Sequence, residues 1–270
     1  NLFILTKCGC PIWRQYYKEI EKLRNQLMPL YEELVNAVAD QRPFDDDIEN
    51  GKAFFCMQWG KNFPDSPNEG ILFVGRATNG WHNQDYDVNS FFGNGEGQIF
   101  NEPNQMQWVE DQEGSIDRYN TKKSPFWRII KKVSESFYPS NWSSYIAWSD
   151  VAKVAPYDVP KGKSANPSTK LYNAQIDVCK KIFAKEIEAL KPKIVVFLTG
   201  YYNWAKDILT FLNGGKEPTG YKTREWGNSN MYNTYIYKIN NINYVVSPHP
   251  QGKSEAKHAQ CLIDIINDIR

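Results

Sequence analysis

Apolar positions in this chain follow two spacings, and the switch between them outlines the fold. From about Ile12 to Ala39, the residues Ile12, Tyr16, Ile20, Leu23, Leu27, Leu30, Leu34 and Val38 recur every three or four positions, which predicts one long amphipathic helix ended by Arg42–Pro43 and an acidic run. Short unbroken apolar runs follow: Gly70–Val74, Tyr145–Trp148, Ile194–Leu198 and Tyr244–Val246. Each is too short for a helix and ends in small or polar residues, as buried strands do. Between them lie helical patterns. One starts at Pro125 with Ser124 as its cap, one runs over Tyr172–Leu190 with Ile176, Cys179, Ile182, Phe183, Ile187 and Leu190 on one face, and one closes the chain over Gln260–Ile269.

Strands alternating with helices predict an α/β protein, a three-layer α/β/α sandwich on a central, mainly parallel sheet with an N-terminal helical extension. The expected division is a helical extension over 1–60 and an α/β domain over 61–270. Residues 93–120, rich in Gly, Asn, Gln and Glu, read as a long excursion, and 212–230 as a loop between strands. Ligands of such sheets sit beyond the carboxyl ends of the strands, which is where Gly75, Asp150, Thr199 and His249 would gather.

Composition narrows the function. An apolar fraction of 41% and an aromatic fraction of 14% supply a core and exclude a disordered chain. No apolar run approaches the roughly 20 residues of a membrane span, so no membrane partner is expected. Five scattered cysteines, Cys8, Cys10, Cys56, Cys179 and Cys261, argue against a disulfide framework and for a reducing, cytoplasmic setting. Net charge is +1, but nine lysines lie between Val151 and Lys193 against four acids, a pattern of solvated faces or of a surface that receives phosphates.

Several chemistries drop out on spacing. Gly252–Lys253–Ser254 looks like the end of a phosphate-binding P-loop, but Ser247 stands where that loop needs glycine. Gly75 and Gly80 do not make a dinucleotide fingerprint. Cys8-Gly-Cys10 has no partner pair of zinc spacing, so neither a metal nor a cofactor is expected. What stands out is Ser247–Pro248–His249–Pro250, a strand running into a His-Pro loop in a chain with three histidines.

Taken in order, the motifs resemble the uracil-DNA glycosylase superfamily from about Gly70 to Arg270. Gly75-Arg76-Ala77-Thr78-Asn79-Gly80 takes the place of that family's first loop, and Phe91-Phe92-Gly93 looks like the aromatic element that stacks on the base. Phe126-Trp127 is similar to a pair in mismatch-type members. Ser149-Asp150-Val151-Ala152-Lys153-Val154-Ala155-Pro156 resembles a Thr-Asn-Val-Val-Lys-Cys-Arg-Pro stretch of the iron–sulfur subfamily. Lys191–Gly200 resembles its Pro-Lys strand ending in Gly, and His249-Pro250 falls on the second catalytic loop.

The resemblance implies a DNA glycosylase that cleaves the N-glycosidic bond of a damaged or deaminated base. The alternative is an inactive member that binds nucleic acid or nucleobases. A flipped base is read by stacking and hydrogen bonds. This assigns Phe91 or Phe92 to stacking, Gly75, Arg76, Ala77, Asp150 and Thr199 to the base pocket, His249 to stabilising the departing base, and Lys153, Lys253 and Ser254 to DNA. Three departures matter. Arg76 and Ala77 occupy the positions of the water-positioning group and arginine is no base, which leaves Asn79, or else Asp85 or Asp87, to hold water. Asp150 replaces an asparagine, and an ionised carboxylate would suit a base with a donating amine. Val154 replaces a cluster cysteine, so an iron–sulfur cluster is not expected.

Overall fold

The computed structural model describes residues 11–41, 50–63, 70–79, 88, 104–116, 119–158 and 163–270. In chain order the elements are α1 (Pro11–Val38), β1 (Asn50–Phe54), β2 (Gln58–Trp59), β3 (Ile71–Ala77), α2 (Trp108–Asp111), α3 (Pro125–Phe137), β4 (Ile146–Ala152), β5 (Val154–Asp158), β6 (Lys163–Ser164), α4 (Thr169–Leu190), β7 (Ile194–Leu198), α5 (Lys206–Leu212), β8 (Lys222–Gly227), β9 (Met231–Ile239), β10 (Ile242–Ser247) and α6 (Glu255–Ile269). The main sheet has seven strands in the order β2-β4-β3-β7-β10-β9-β8. Its centre, β4-β3-β7-β10, is parallel, while β2, β9 and β8 add antiparallel margins, so the sheet is mixed. A small sheet, β1-β5-β6, extends from β4.

Period-two alternation sorts the central strands between two cores. Leu72, Val74, Val195, Phe197, Tyr244 and Val246 face α1, α4 and α5. Ile71, Phe73, Ile194, Val196, Leu198 and Val245 face α3 and α6. Helices therefore cover both faces, giving the three-layer α/β arrangement. Helix α1 lies on α4 with Leu27, Tyr31, Leu34 and Val38 fully enclosed, and the Tyr31 hydroxyl donates to the Phe55 carbonyl at 2.8 Å.

Local signals explain most boundaries. Ser124 caps α3 by accepting from the Trp127 N–H, with Pro125 at the first helical position. Ser168 caps α4 in the same way, starting it three residues before the predicted Tyr172. Helix α6 starts at Glu255, five residues before the predicted Gln260. Two expectations are corrected. Residues 50–54 and 58–59, expected in the helical extension, are strands paired with β5 and β4 respectively. Residues 222–227, expected in a loop, form edge strand β8, whose outward positions alternate with inward ones until Trp226 and Gly227 are buried. No described helix is long and apolar enough to cross a membrane.

Candidate functional site

The alternation that builds the core also aims the strand ends. Gly75 continues the Ile71–Phe73 face toward α3, and Arg76 continues the Leu72–Val74 face on the other side of the sheet. Parallel register puts Gly75 opposite Asp150. The Asp150 carboxyl is 1% exposed, and its Oδ1 accepts from the Trp148 indole N–H at 3.3 Å. Oδ2 is buried and has no partner among the described residues. Glycine is required at 75 because a Cβ there would lie 2.2 Å from Asp150 Oδ1 and 3.3 Å from the Phe126 ring. The surrounding wall is aromatic, with Trp127 packed edge-on against Trp148 at 5.0 Å, Phe126 at 5.1 Å and Trp108 at 5.3 Å.

Burial pushes the Asp150 carboxyl up to about 8, with Glu186 adding to the rise and Lys153, Trp148 and Gly75 opposing it. A carboxyl raised this far favours its protonated form at neutral pH, in contrast to the ionised, accept-only group that the sequence led us to expect. A neutral carboxyl both donates and accepts.

Lys153, expected on DNA, is fully buried on the opposite face. Its ammonium contacts Glu186 Oε1 at 2.8 Å and Oε2 at 3.0 Å and donates to Ser149 Oγ at 2.6 Å. A charge enclosed in this way cannot reach a phosphate, so Lys153 is removed from the DNA contacts.

His249 follows the buried end of β10 and is half-buried. Its Nδ1 accepts the Gln251 backbone N–H at 3.3 Å. Burial, followed by the charges of Arg76 and Lys253, pulls it down to about 4. The ring is thus neutral at neutral pH, and an accepting Nδ1 leaves the proton on Nε2. Beneath it, Ser247 Oγ lies 2.8 Å from His258 Nε2 and 2.8 Å from Thr234 Oγ1, which accepts from the Trp226 indole at 2.9 Å. Trp226 stacks on His258 at 4.1 Å. The Gly200 N–H donates to the Ser247 carbonyl at 2.9 Å, so the ends of β7 and β10 are tied together.

The remaining predicted residues form a second group at the same end of the sheet. Arg76 Nε donates to the Thr199 carbonyl at 3.1 Å, and its guanidinium lies 5.8 Å over Trp204. Thr199 is buried and its hydroxyl donates to the Gly200 carbonyl. Ala77 pairs with Ala152, and Asn79 is exposed in the bend beyond. The Lys253 ammonium sits 5.0 Å over Tyr232 and donates to the Gln251 carbonyl. Ser254 is the N-cap of α6, but its side chain makes no cap bond. Phe91 and Phe92, like Asp85 and Asp87, lie outside the described residues.

The sequence did not single out Thr78, whose buried hydroxyl at the start of the first loop has no partner among the described residues, nor Trp148, Ser247 and His258. Only pairing across strands reveals them. A separate cavity of about 200 Å³ opens between α3 and the residues before it, floored by Val109, Trp127 and Trp142. On its rim Arg128 and Lys132 pair with Glu255 at 2.6 and 2.8 Å, and Lys131 with Glu113.

The donor set does not suit an iron–sulfur cluster. Val154 is clasped by Gln175, whose amide accepts from its N–H at 2.8 Å and donates to its carbonyl at 2.9 Å. Cys179 beside it is buried, its thiol pushed up to about 12 by burial. Among the described residues no group of three or more His, Cys, Asp and Glu could hold a metal ion. The strand-end site instead offers a neutral acid, a neutral imidazole N–H, an aromatic wall and two cations, groups suited to holding an uncharged planar ring and an anion beside it. No curated protein matches the chain. A family model described as Uracil DNA glycosylase superfamily matches residues 41–270, upstream of the Gly70 start of the motif resemblance, and the chain belongs to that family.

Proposed function

We propose that the protein cleaves the N-glycosidic bond of a damaged or deaminated base in DNA. The observation that supports this most is His249: neutral, with its proton on Nε2, at the strand end next to Arg76 and Lys253. As the C1′–N bond breaks, positive charge builds on the sugar and negative charge on the base. The His249 Nε2–H donates to a base oxygen and stabilises that anion, a contribution of roughly 2.7–4 kcal/mol for comparable donors. Water adds to C1′, its proton is released, and the base anion takes up a proton from solvent. Asn79 holds that water in this reading, because Arg76 cannot act as a base. Lys253 and Ser254 contact phosphates, and Phe126 supplies a stacking face beside Gly75.

A second reading, binding without base release, is favoured by one observation. Arg76 is anchored to Thr199 on the face of the sheet opposite Asp150, and no carboxylate from the described residues pairs with it. Release of free base from oligonucleotides carrying uracil, hypoxanthine or xanthine separates the two. The glycosylase reading expects release by the wild type that falls about a hundredfold or more in His249→Ala. Undiminished binding with no release on any substrate would refute it in favour of the binding module.

A further inference from the structure

The chain leaves β7 through a turn that base release, as described above, does not use. Gly200, at φ +82°, ends the strand, and Tyr201–Ala205 form a single π-turn in which the Ala205 N–H reaches back to the Gly200 carbonyl at 3.4 Å. Such a turn holds one residue more than an α-helical turn and recurs at functional sites. Within it only Ala205 is buried, while Tyr201, Tyr202 and Trp204 stay outside the core.

These rings form a ridge with two more from β9. Tyr202 is 80% exposed and stands edge-on to Tyr201 at 5.3 Å. Tyr201 lies flat on the buried Tyr237 at 5.3 Å and donates its hydroxyl to Glu217 Oε1 at 2.9 Å, so the backing of Tyr202 is fixed. Two positions back along β9, on the same face, Tyr235 is 38% exposed and pairs with Val246 near the exit of β10. On the other flank Trp204 lies under the Arg76 guanidinium, and the Gly200 N–H ties the turn to the Ser247 carbonyl. The ridge is therefore continuous with the strand-end site. The carboxylates beside it are occupied, Glu217 by Lys206 at 2.7 Å and by Tyr201, and Asp207 by the Tyr172 hydroxyl at 2.8 Å. What faces outward is aromatic surface, with the Arg76 cation at its site end.

Exposed rings beside a base pocket suit unpaired bases, because every base has a π-face and stacking tolerates any sequence. In a duplex those faces are covered by neighbouring pairs, and the backbone outside is gripped by donors and cations rather than by ring faces. We propose that Tyr202 and Tyr235 form a stacking ridge for unpaired bases flanking the target base, which makes single-stranded nucleic acid the preferred partner. This rests on the reading of the strand-end site as a base pocket and adds to it the strandedness of the substrate.

The test is anisotropy of a labelled oligonucleotide carrying one uracil, single-stranded or annealed to its complement, with base release scored in parallel. The wild type should bind the single strand about tenfold or more tighter than the duplex. Tyr202→Ala and Tyr235→Ala, checked for unchanged unfolding midpoints, should each weaken single-strand binding by about fivefold to a hundredfold and leave duplex binding as it was. Tyr202→Phe keeps the ring and should restore the affinity. The slope of affinity against salt should be the same in all four proteins, because no phosphate contact is lost. With 5-iodouracil beside the target base, irradiation should crosslink the strand to Tyr202 or Tyr235. Wild-type affinity in both alanine variants, a wild type that prefers the duplex, or a homodimer in sedimentation that either alanine variant dissolves overturns the proposal. Base release with the ridge variants unaltered would overturn it and leave the glycosylase reading standing. Ridge-dependent single-strand binding without base release would support it and refute that reading.

Discussion

Removing the Lys153 ammonium tests whether this lysine belongs to the core or to a DNA surface. Lys153 and Glu186 are both fully buried, 2.8 Å apart, with Ser149 closing the triangle at 2.6 and 2.7 Å. Lys153→Met keeps the volume but leaves Glu186 as an uncompensated buried charge, held only by the Ser149 hydroxyl. Breaking a buried pair from one side costs about 3–5 kcal/mol. Replacing the whole triangle, as in Lys153→Met with Glu186→Leu and Ser149→Ala, removes every stranded polar group, and such exchanges are about neutral or stabilising by 1–4 kcal/mol. Urea unfolding followed by circular dichroism should therefore show a large drop in midpoint for Lys153→Met and recovery of most of it in the triple variant. Oligonucleotide affinity of the folded proteins should be unchanged. A single variant within about 1 kcal/mol of wild type, or a triple variant as unstable as the single, would show that Lys153 and Glu186 do not form a buried pair that must be kept or removed together.

Other consequences follow from the same geometry. Gly75→Ala drives a methyl group to 2.2 Å from Asp150 Oδ1, so it should cost about 1–3 kcal/mol in a thermal melt and weaken uracil binding. Leu27→Ala, which opens a hole between α1 and α4, should cost about 2–5 kcal/mol in urea unfolding, showing that α1 is docked. His258 and His249 have folded values depressed from 6.5 to about 3 and about 4. Their contributions are complete above pH 6.5 and are lost as pH falls through those lower values, so a stability profile should fall steeply on the acid side. His258→Phe, which keeps a ring against Trp226, should flatten that slope. Asp150, raised from 3.8 to about 8, contributes in the opposite sense: its share is complete below pH 3.8 and is lost as pH rises through about 8. Asp150→Asn should remove that second slope.

The elements that sequence reading recovered are those whose signal is local. The three-four spacing of Leu23 to Val38, the apolar runs of β3, β7 and β10, and the Ser124–Pro125 helix start each carry their cause within a few residues. Strands β1, β2 and β8 were missed because short, polar or edge strands form only when a distant partner supplies the ladder: β5, β4 and β9 in these cases. The site divides in the same way. His249, Gly75 and Asp150 were legible as strand-exit residues. The burial that raises the Asp150 carboxyl was not, since it depends on a glycine and a tryptophan brought together by parallel register and on a wall of rings from α3. Lys153 was misread because its partner, Glu186, lies 33 positions along the chain and only folding encloses the pair.

Donation from the Nε2–H of a neutral His249 to a base is open to one direct measurement. The chain has three histidines, His82, His249 and His258, so side-chain ¹⁵N spectra can be assigned with single variants. His249 should show a protonated Nε2 and an unprotonated Nδ1 at neutral pH, resist protonation until about pH 4, and shift at Nε2 when a uracil-bearing oligonucleotide is added. A His249 that titrates near 6.5, carries its proton on Nδ1, or ignores the oligonucleotide would contradict it.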